Sequence, residues 1–231
     1  MNQTISVIMP AYNEESNLES AVLRTSNALA ELVQDYEILI IDDCSKDKTG
    51  AIADQLAKDN HKIRVIHNRK NKGFGGSQKI GLGVAKNDLI TLIPTDNQFD
   101  PKDLETYFFF INSSDIVVGC RTNRLDPVNR TITSKMYNLG LNTLFNLRIK
   151  DVDWVKLYRR EVIDNVRIDS ESAFIDAEIL VRARKKGYRI KQIPVIHYPR
   201  TSGKASGNAL KVVVKQLKEL FLFWFRFHFK K

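Results

Sequence analysis

Short apolar runs alternate with amphipathic stretches through the first half of the chain. The runs have the length and composition of strands, and the stretches between them repeat their apolar positions at helical spacing. We predict strands at Ile5–Ala11, Glu37–Ile41, Ile63–His67, Leu89–Ile93 and Ile116–Gly119, and helices near Ser16–Val33, Lys48–Asp59, Ser77–Ala85 and Lys102–Asn112. This alternation is typical of βαβ units, and strands that are apolar on both faces indicate a mainly parallel sheet covered by helices.

The pattern loosens after Arg121 into a polar stretch. Beyond it we predict a helix near Ser134–Phe145, a strand at Val155–Arg159, a helix near Ala173–Lys186 and a strand near Ile190–His197. Gly187 follows two lysines, as is typical of a helix C-terminus. No internal repeat or low-complexity segment is apparent. The sequence therefore predicts one α/β domain, residues 1–207, followed by a C-terminal amphipathic helix, residues 208–231.

The C-terminal tail carries most of the charge of the chain. Of the net +9, the segment Arg200–Lys231 contributes +7, which favours contact with an anionic surface over a nucleic-acid groove. Between Lys211 and Phe227 the basic side chains share one helix face and Phe, Trp and Leu the other. The longest apolar run, Leu220–Phe225, is too short to span a bilayer. We expect peripheral membrane contact through this helix; packing on the domain or on a second subunit is the alternative.

Cysteine usage and the N-terminus favour a cytoplasmic protein. Cys44 and Cys120 have no metal-ligand spacing and fit reduced thiols. The chain enters its first strand at Ile5 without the pattern of a signal peptide.

Acid-bearing turns follow three of the predicted strands, where open α/β sheets bind ligands. The first turn contains Pro10, Tyr12 and Glu14. The ring of Tyr12 is placed to stack on the base of a nucleotide, and the carboxylate of Glu14 is placed to accept hydrogen bonds from that base. The alternative is a simple strand exit in which Asn13 or Ser16 caps the next helix.

The second turn begins with the adjacent carboxylates Asp42 and Asp43. A carboxylate here is placed to bind ribose hydroxyls or a base edge. Capping of the next helix explains Asp47 and Thr49. It does not explain the adjacent pair, because neighbouring like charges repel unless a partner neutralises them.

The third turn contains Asp96 and Gln98, which are two residues apart. In an extended segment both oxygens point the same way, and with pyrophosphate oxygens they complete a shell for Mg²⁺ or Mn²⁺. Asp100 before Pro101 predicts an N-cap.

In this order the motifs resemble glycosyltransferase family 2, the inverting nucleotide-sugar transferases of the GT-A fold, and especially its dolichol-phosphate mannose synthase-like branch. The motifs are P-x-Y-N-E at Pro10–Glu14, D-D-x-S-x-D-x-T at Asp42–Thr49, N-x-G-x-G-x-x-x-x-x-G at Asn71–Gly81, and G-x-R at Gly119–Arg121. The resemblance covers Ile5–Gly207. It implies that Pro10, Tyr12, Glu14 and Asp43, with Asp42 beside it, bind the nucleoside, that Asp96 and Gln98 bind metal, and that Arg121, Arg200 and Lys204 bind phosphates.

Two departures from the family pattern bear on the site. Pro94 stands where the D-x-D-x-Q metal motif has its first aspartate, so we expect the metal to arrive with the nucleotide diphosphate. Lys150–Arg160 lacks the usual Gly-Phe, which alters the acceptor side. Arg200–Gly207 resembles the family's R-x-x-G-x-S loop and is interpreted as a lid over phosphate, with a solvated linker as the alternative.

The resemblance implies transfer of a hexose from a UDP- or GDP-sugar to a polyprenyl phosphate at the cytoplasmic membrane face. If the acceptor is instead a sugar hydroxyl, Asp176 or Glu178 has to serve as general base; only one of them faces the site, since they point about 200° apart on a helix. A non-catalytic nucleotide-sugar-binding protein, motivated by Pro94, and a nucleotidyltransferase are further alternatives. The sequence leaves open the base, the sugar and a homo-oligomeric state.

Overall fold

The predicted strands and helices are present and alternate as expected. A computed structural model describes residues 3–124, 128–199 and 210–229, with side chains at 3–124, 131–199 and 218–227. The strands are β1 (Thr4–Ala11), β2 (Asp35–Asp42), β3 (Ile63–His67), β4 (Leu89–Leu92), β5 (Ile116–Arg121), β6 (Lys156–Arg159) and β7 (Ile190–Val195). The helices are α1 (Leu18–Leu32), α2 (Thr49–Asp59), α3 (Gly73–Val84), α4 (Leu104–Ile111), α5 (Val128–Phe145), α6 (Arg160–Asn165), α7 (Ile175–Lys185) and α8 (Leu210–Phe229), with a short 3-10 helix at Pro101–Asp103.

The seven strands form one sheet in the order β3-β2-β1-β4-β6-β5-β7. All pairings are parallel except those of β6, which runs antiparallel to β4 and to β5. The prediction of a mainly parallel α/β sheet is confirmed. The carboxyl ends of β2, β1 and β4 consequently meet at one edge.

Side chains that alternate along the strands build a core on each face of the sheet. Val7 of β1 packs with residues of α1, α2 and α4, whereas Ile8 packs on the opposite face with residues of α3, α5 and α7. Both faces are therefore covered, which explains the continuous apolar runs in the sequence.

The prediction was wrong on three helices. α3 begins at Gly73, not near Ser77, and α5 at Val128, not near Ser134. α6, which the sequence did not predict, covers only Arg160–Asn165; a helix this short has too few apolar positions for its period to be recognised.

The C-terminal helix α8 packs on α5 and on the segment before α7. Phe223 contacts the rings of Phe145 and Phe174, and Leu220 lies over Gly140. The proposed boundary at residue 207 lies outside the described residues, so this division of the chain stays a prediction.

Candidate nucleotide and metal site

Three neighbouring strands end in turns that contain a left-handed residue. Asn13 after β1, Cys44 after β2 and Asn97 after β4 have φ values of 54°, 63° and 60°. A side chain other than glycine is strained in this region, and such strain collects at functional sites. The three acid-bearing turns of the sequence thus lie together at one edge of the sheet.

Side-chain hydrogen bonds lock the first two turns together. Asn13 N donates to Ser45 Oγ at 3.1 Å, and Lys46 N donates to Asn13 Oδ1 at 2.8 Å. Glu14 N donates to Thr49 Oγ1 at 2.8 Å. Tyr12, between these contacts, keeps 46% of its surface exposed, so an aromatic ring is available on a rigid turn.

Pro10 and Glu14 precede and follow Tyr12 in the first turn and contact other residues. The Pro10 carbonyl accepts from Thr95 Oγ1 at 3.4 Å, which joins the first turn to the third. The Glu14 carboxylate accepts from Asn17 Nδ2 at 2.7 Å. Their predicted part in nucleoside binding stays a prediction.

Asp43 holds the start of α3. Its carboxylate accepts from Lys72 N and Gly73 N, both at 2.8 Å, and from Asn68 Nδ2 at 2.8 Å. The side chain is buried. A carboxylate at a helix N-terminus satisfies backbone N–H groups and interacts favourably with the helix dipole. Asp43 therefore has a structural function in addition to its predicted nucleoside contact.

Asp42 is neutralised by a histidine of the next strand. Asp42 and His67 are paired in the parallel register of β2 and β3, and Asp42 Oδ2 lies 2.8 Å from His67 Nδ1. Burial opposes ionisation of Asp42, but hydrogen bonds from Ser45 and His67 outweigh it and lower the pKa of Asp42 below its ordinary value. This pairing explains how the two adjacent carboxylates coexist. It escaped the sequence interpretation, although a histidine that ends a neighbouring parallel strand was a usable signal.

Asp96 and Gln98 lie in the third turn. The segment between them is not extended, contrary to our prediction. Asn97 bends the chain between them, and Asp96 Oδ1 accepts from Gln98 N at 3.1 Å. Gln98 Nε2 lies 2.9 Å from His197 Nε2, and the imidazole packs edge-on against Trp154. Asp100 accepts from Lys102 N at 3.1 Å at the 3-10 helix, so the predicted N-cap is confirmed.

The oxygen donors of this turn suit a hard divalent cation. Within the residues that the structure describes, no group of three His, Cys, Asp or Glu is arranged for a metal. If Asp96 and Gln98 are its protein ligands, as the sequence predicts, a Mg²⁺ ion would take its other ligands from a bound diphosphate and from water, which is its usual manner of binding.

Arg121, predicted to bind phosphate, is held by a carboxylate of the chain itself. Its Nε and Nη2 atoms lie 2.7 and 2.8 Å from the two oxygens of Asp151, and its guanidinium stacks on Trp154. Burial opposes the charge on Asp151, but the Arg121 contact prevails and lowers the pKa of Asp151. A phosphate contact by Arg121 stays a prediction, and Arg200 and Lys204 lie outside the described residues.

Asp176 and Glu178, the candidate bases, diverge as expected. Asp176 Oδ1 accepts from Lys156 Nζ at 3.0 Å and from Gln78 Nε2 at 2.9 Å. Glu178 instead binds Arg182 and the backbone N–H of Ser170.

Asp153 is a titratable group that the sequence interpretation missed. The residue lies at the surface, and desolvation of its carboxyl group by the surrounding protein, with the charge of Asp176, raises its pKa to about 6. The only signal in the sequence was its position two residues after Asp151.

Comparison with known proteins places these motifs in a family context. Residues 6–167 match the profile of Glycosyl transferase family 2. Over 214 residues the chain is 30% identical to an undecaprenyl-phosphate 4-deoxy-4-formamido-L-arabinose transferase of Proteus mirabilis, covering 90% of this chain and 64% of the relative. It is 32% identical to glycosyltransferase AglD of Haloferax volcanii over 85% of this chain and 33% of the relative. The chain thus spans between a third and two thirds of the length of these two proteins.

A third relative matches over nearly its full length. This polyprenol monophosphomannose synthase of Mycolicibacterium smegmatis is 28% identical, with 94% of this chain and 86% of the relative covered. Among solved structures, glucosyl-3-phosphoglycerate synthase from Mycobacterium tuberculosis, in complex with Mn²⁺, UDP and phosphoglyceric acid, superposes with a TM-score of 0.72 at 19% identity, covering 96% of this chain and 78% of that one. The expected GT-A fold is confirmed.

Proposed function

The chain belongs to glycosyl transferase family 2, and from this we propose that it transfers a hexose from a nucleoside-diphosphate sugar to a polyprenyl phosphate, with inversion at the anomeric carbon. Two relatives are named for polyprenyl-lipid products or acceptors, and they cover at least 90% of this chain. The observation that carries the choice of acceptor is the ion pair of Asp176 with Lys156.

The donor lies on the three joined turns. Tyr12 stacks on the base, with Pro10 and Glu14 beside it, and Asp42 and Asp43 hold the second turn against the nucleoside. The exposed ring of Tyr12 and its rigid support favour this arrangement. UDP- and GDP-sugars both remain candidates.

Asp96 and Gln98 hold the metal together with the donor diphosphate. A bound Mg²⁺ or Mn²⁺ neutralises charge that develops on the leaving nucleoside diphosphate. Structures of glucosyl-3-phosphoglycerate synthase with Mn²⁺ and UDP or UDP-glucose support a divalent ion at this fold. Arg121, Arg200 and Lys204 supply positive charge near the phosphates.

The reaction is a direct displacement. An oxygen of the acceptor phosphate bonds to the anomeric carbon, and the bond from that carbon to the diphosphate breaks. Because a phosphate monoester is ionised at neutral pH, no side chain has to remove a proton. This agrees with the contacts of Asp176, whose Oδ1 atom is already engaged by Lys156 Nζ at 3.0 Å and by Gln78 Nε2 at 2.9 Å.

Exposed apolar side chains on two packed helices support a lipid acceptor. α5 exposes Ile132, Met136 and Leu139 at helical spacing, and the adjacent α8 exposes Phe221 and Phe225. No helix in the described ranges is long and apolar enough to cross a bilayer. We place this two-helix surface in the interface of the membrane at its cytoplasmic face.

A cleft between α7 and α8 carries charges of both signs, with a small excess of basic side chains. It is lined by Arg167, Arg182, Lys185, Lys186 and Arg226, by Asp169, Glu171, Glu178 and Glu219, and by the rings of Phe223 and Phe227. Lys185 Nζ lies 4.2 Å above the ring of Phe227. Cations beside apolar rings are typical of surfaces that bind anionic lipid.

The test is a transfer assay with UDP- and GDP-sugars, Mn²⁺ and a polyprenyl phosphate in vesicles. Formation of a glycosyl phospholipid confirms the proposal. Metal-dependent nucleotide binding without transfer to any acceptor indicates a non-catalytic protein, and transfer only to sugar hydroxyls indicates the alternative acceptor. Consumption of sugar-1-phosphate with a nucleoside triphosphate indicates a nucleotidyltransferase.

A further inference from the structure

The turn that carries Tyr12 is connected to His67, which has no part in the proposed reaction. His67 ends β3, and each of its ring nitrogens faces a carboxylate. Nδ1 lies 2.8 Å from Asp42 Oδ2 and Nε2 lies 3.0 Å from Asp54 Oδ1. The ring therefore joins β2, which leads into the site, to α2.

This geometry favours the protonated form of the His67 imidazole. A neutral imidazole donates from one nitrogen only, so one of the two carboxylates would face a lone pair. Asp42 from β2 and Asp54 from α2 are the charged groups that face the ring, and α2 otherwise presents Gly50 there. Hydrogen bonds to Asp42 and Asp54 raise the pKa of His67 above its ordinary value.

Gly50 permits the close approach of this ion pair. A Cβ atom at Gly50 would lie 3.2 Å from Asp42 Oδ2 and 3.5 Å from the ring of His67. A side chain would therefore crowd Asp42 Oδ2 while making an ordinary contact with the ring of His67, whereas glycine leaves the ion pair undisturbed.

A continuous set of hydrogen bonds leads from His67 to Tyr12. Asp42 Oδ1 accepts from Ser45 N at 3.1 Å, which supports the left-handed conformation of Cys44 between them. Ser45 Oγ then accepts from Asn13 N, and Asn13 Oδ1 accepts from Lys46 N. Asn13 is itself left-handed and directly follows Tyr12.

We propose that His67 is a positioning residue for the nucleoside diphosphate, acting through Asp42 on the turn that carries Tyr12. The inference rests on the proposed nucleotide-binding function and extends it to regulation by pH. Protonated His67 holds Asp42 and α2 together. Loss of the proton leaves Asp54 facing a lone pair and removes positive charge from beside Asp42, and the turn loses part of its support.

The direction of the pH effect follows from the raised pKa of His67. The stabilisation is fully present below the pKa of histidine in the unfolded chain, about 6.5. It is lost as the pH rises through the higher pKa of the folded protein. Nucleotide affinity should therefore fall as the pH rises through neutrality.

The experiment measures UDP and GDP affinity by calorimetry with Mn²⁺ from about pH 6 to about pH 9, a range that spans histidine titration. The variants are His67→Gln, which removes the titration, and Asp54→Asn, which removes the outer carboxylate. His61→Gln is the matched control, since His61 is exposed before β3. We expect wild-type affinity to fall by about tenfold across the range, the scale of a hydrogen bond to a charged group.

The variants should separate as follows. His67→Gln should bind the nucleotides weakly at low pH and should lose the fall in affinity that the wild type shows as the pH rises. Asp54→Asn should move the midpoint of that fall to lower pH. His61→Gln should follow the wild type. An NMR titration of the His67 ring reports the same midpoint without any nucleotide.

Two failures are distinguishable. If neither nucleotide binds any variant at any pH, the nucleotide-binding function is overturned, and this inference with it. If the nucleotides bind and His67→Gln keeps the wild-type pH profile, the inference alone is overturned. Thermal unfolding of each variant separates a loss of positioning from a loss of fold.

Discussion

Gln98, a predicted metal ligand, contacts His197, with Gln98 Nε2 lying 2.9 Å from His197 Nε2. Since an amide nitrogen only donates, His197 Nε2 accepts the hydrogen bond. The contact holds the amide nitrogen of Gln98 towards the imidazole. Trp154 packs edge-on against the imidazole, with the ring centroids 5.0 Å apart, and limits its movement. His197 therefore orients a predicted metal ligand.

Removal of this support should weaken metal binding. We expect His197→Ala to lower Mn²⁺ affinity, measured in the presence of nucleoside diphosphate, by about tenfold, as is usual when the partner of a metal ligand is lost. His61→Ala serves as the exposed control. Unchanged Mn²⁺ affinity in His197→Ala would show that the contact does not orient a ligand.

Asp96 is the residue on which the metal assignment depends most. Pro94 stands where the family pattern has another aspartate, so Asp96→Ala removes the one carboxylate predicted to bind the metal. We expect transfer activity to fall by at least about a hundredfold, the scale of a lost electrostatic contact in a transition state. Asp100→Ala is the control: it removes the N-cap of the 3-10 helix and a partly exposed ion pair with Arg24, and should cost about 1 kcal/mol of stability. Activity that survives Asp96→Ala means that the assignment is wrong.

Asp43 should affect stability even without a ligand. Asp43→Ala removes the acceptor of Lys72 N and leaves Gly73 N with only its 3.1 Å contact to Asn71 Oδ1, at a partly buried helix start. We expect the free energy of unfolding, measured by urea denaturation, to fall by about 2 kcal/mol. Asp59→Ala, at the exposed end of α2, should change it by less than about 0.5 kcal/mol. Equal effects of the two substitutions would contradict a capping function for Asp43.

The same contact explains where sequence interpretation succeeded and where it failed. The strands and the three acid-bearing turns were predicted because each is encoded by a contiguous segment. The start of α3 was misplaced because its cap, Asp43, comes from the turn after β2, thirty residues earlier. The partners of His67 and His197 and the direction of β6 were missed for a related reason: each depends on which segments become neighbours in the sheet.

Asp176 distinguishes a phosphate acceptor from a hydroxyl acceptor. Asp176→Asn should retain most transfer activity if the acceptor is already ionised, whereas loss of a general base costs about a thousandfold. The substitution also leaves buried Lys156 without its counter-charge, so stability should fall by about 3 kcal/mol. Activity per folded molecule is therefore the quantity to measure, with circular dichroism as the check on folding. A thousandfold loss in folded protein would favour the hydroxyl acceptor.

The two faces of α8 should respond differently to substitution. Phe225 is exposed, whereas Phe223 is buried against Phe145 and Phe174. We expect Phe225→Ser to weaken sedimentation with anionic vesicles by about tenfold, as the burial of one phenylalanine in the interface predicts, with little change in unfolding free energy. Phe223→Ala should instead cost about 3 kcal/mol of stability through the cavity it creates. Both substitutions lie on the same helix and neither changes the net charge. A difference between their effects therefore reports which face of α8 each residue occupies. Vesicle binding that is unchanged in Phe225→Ser would indicate that this face of α8 meets a partner protein or solvent and not the membrane.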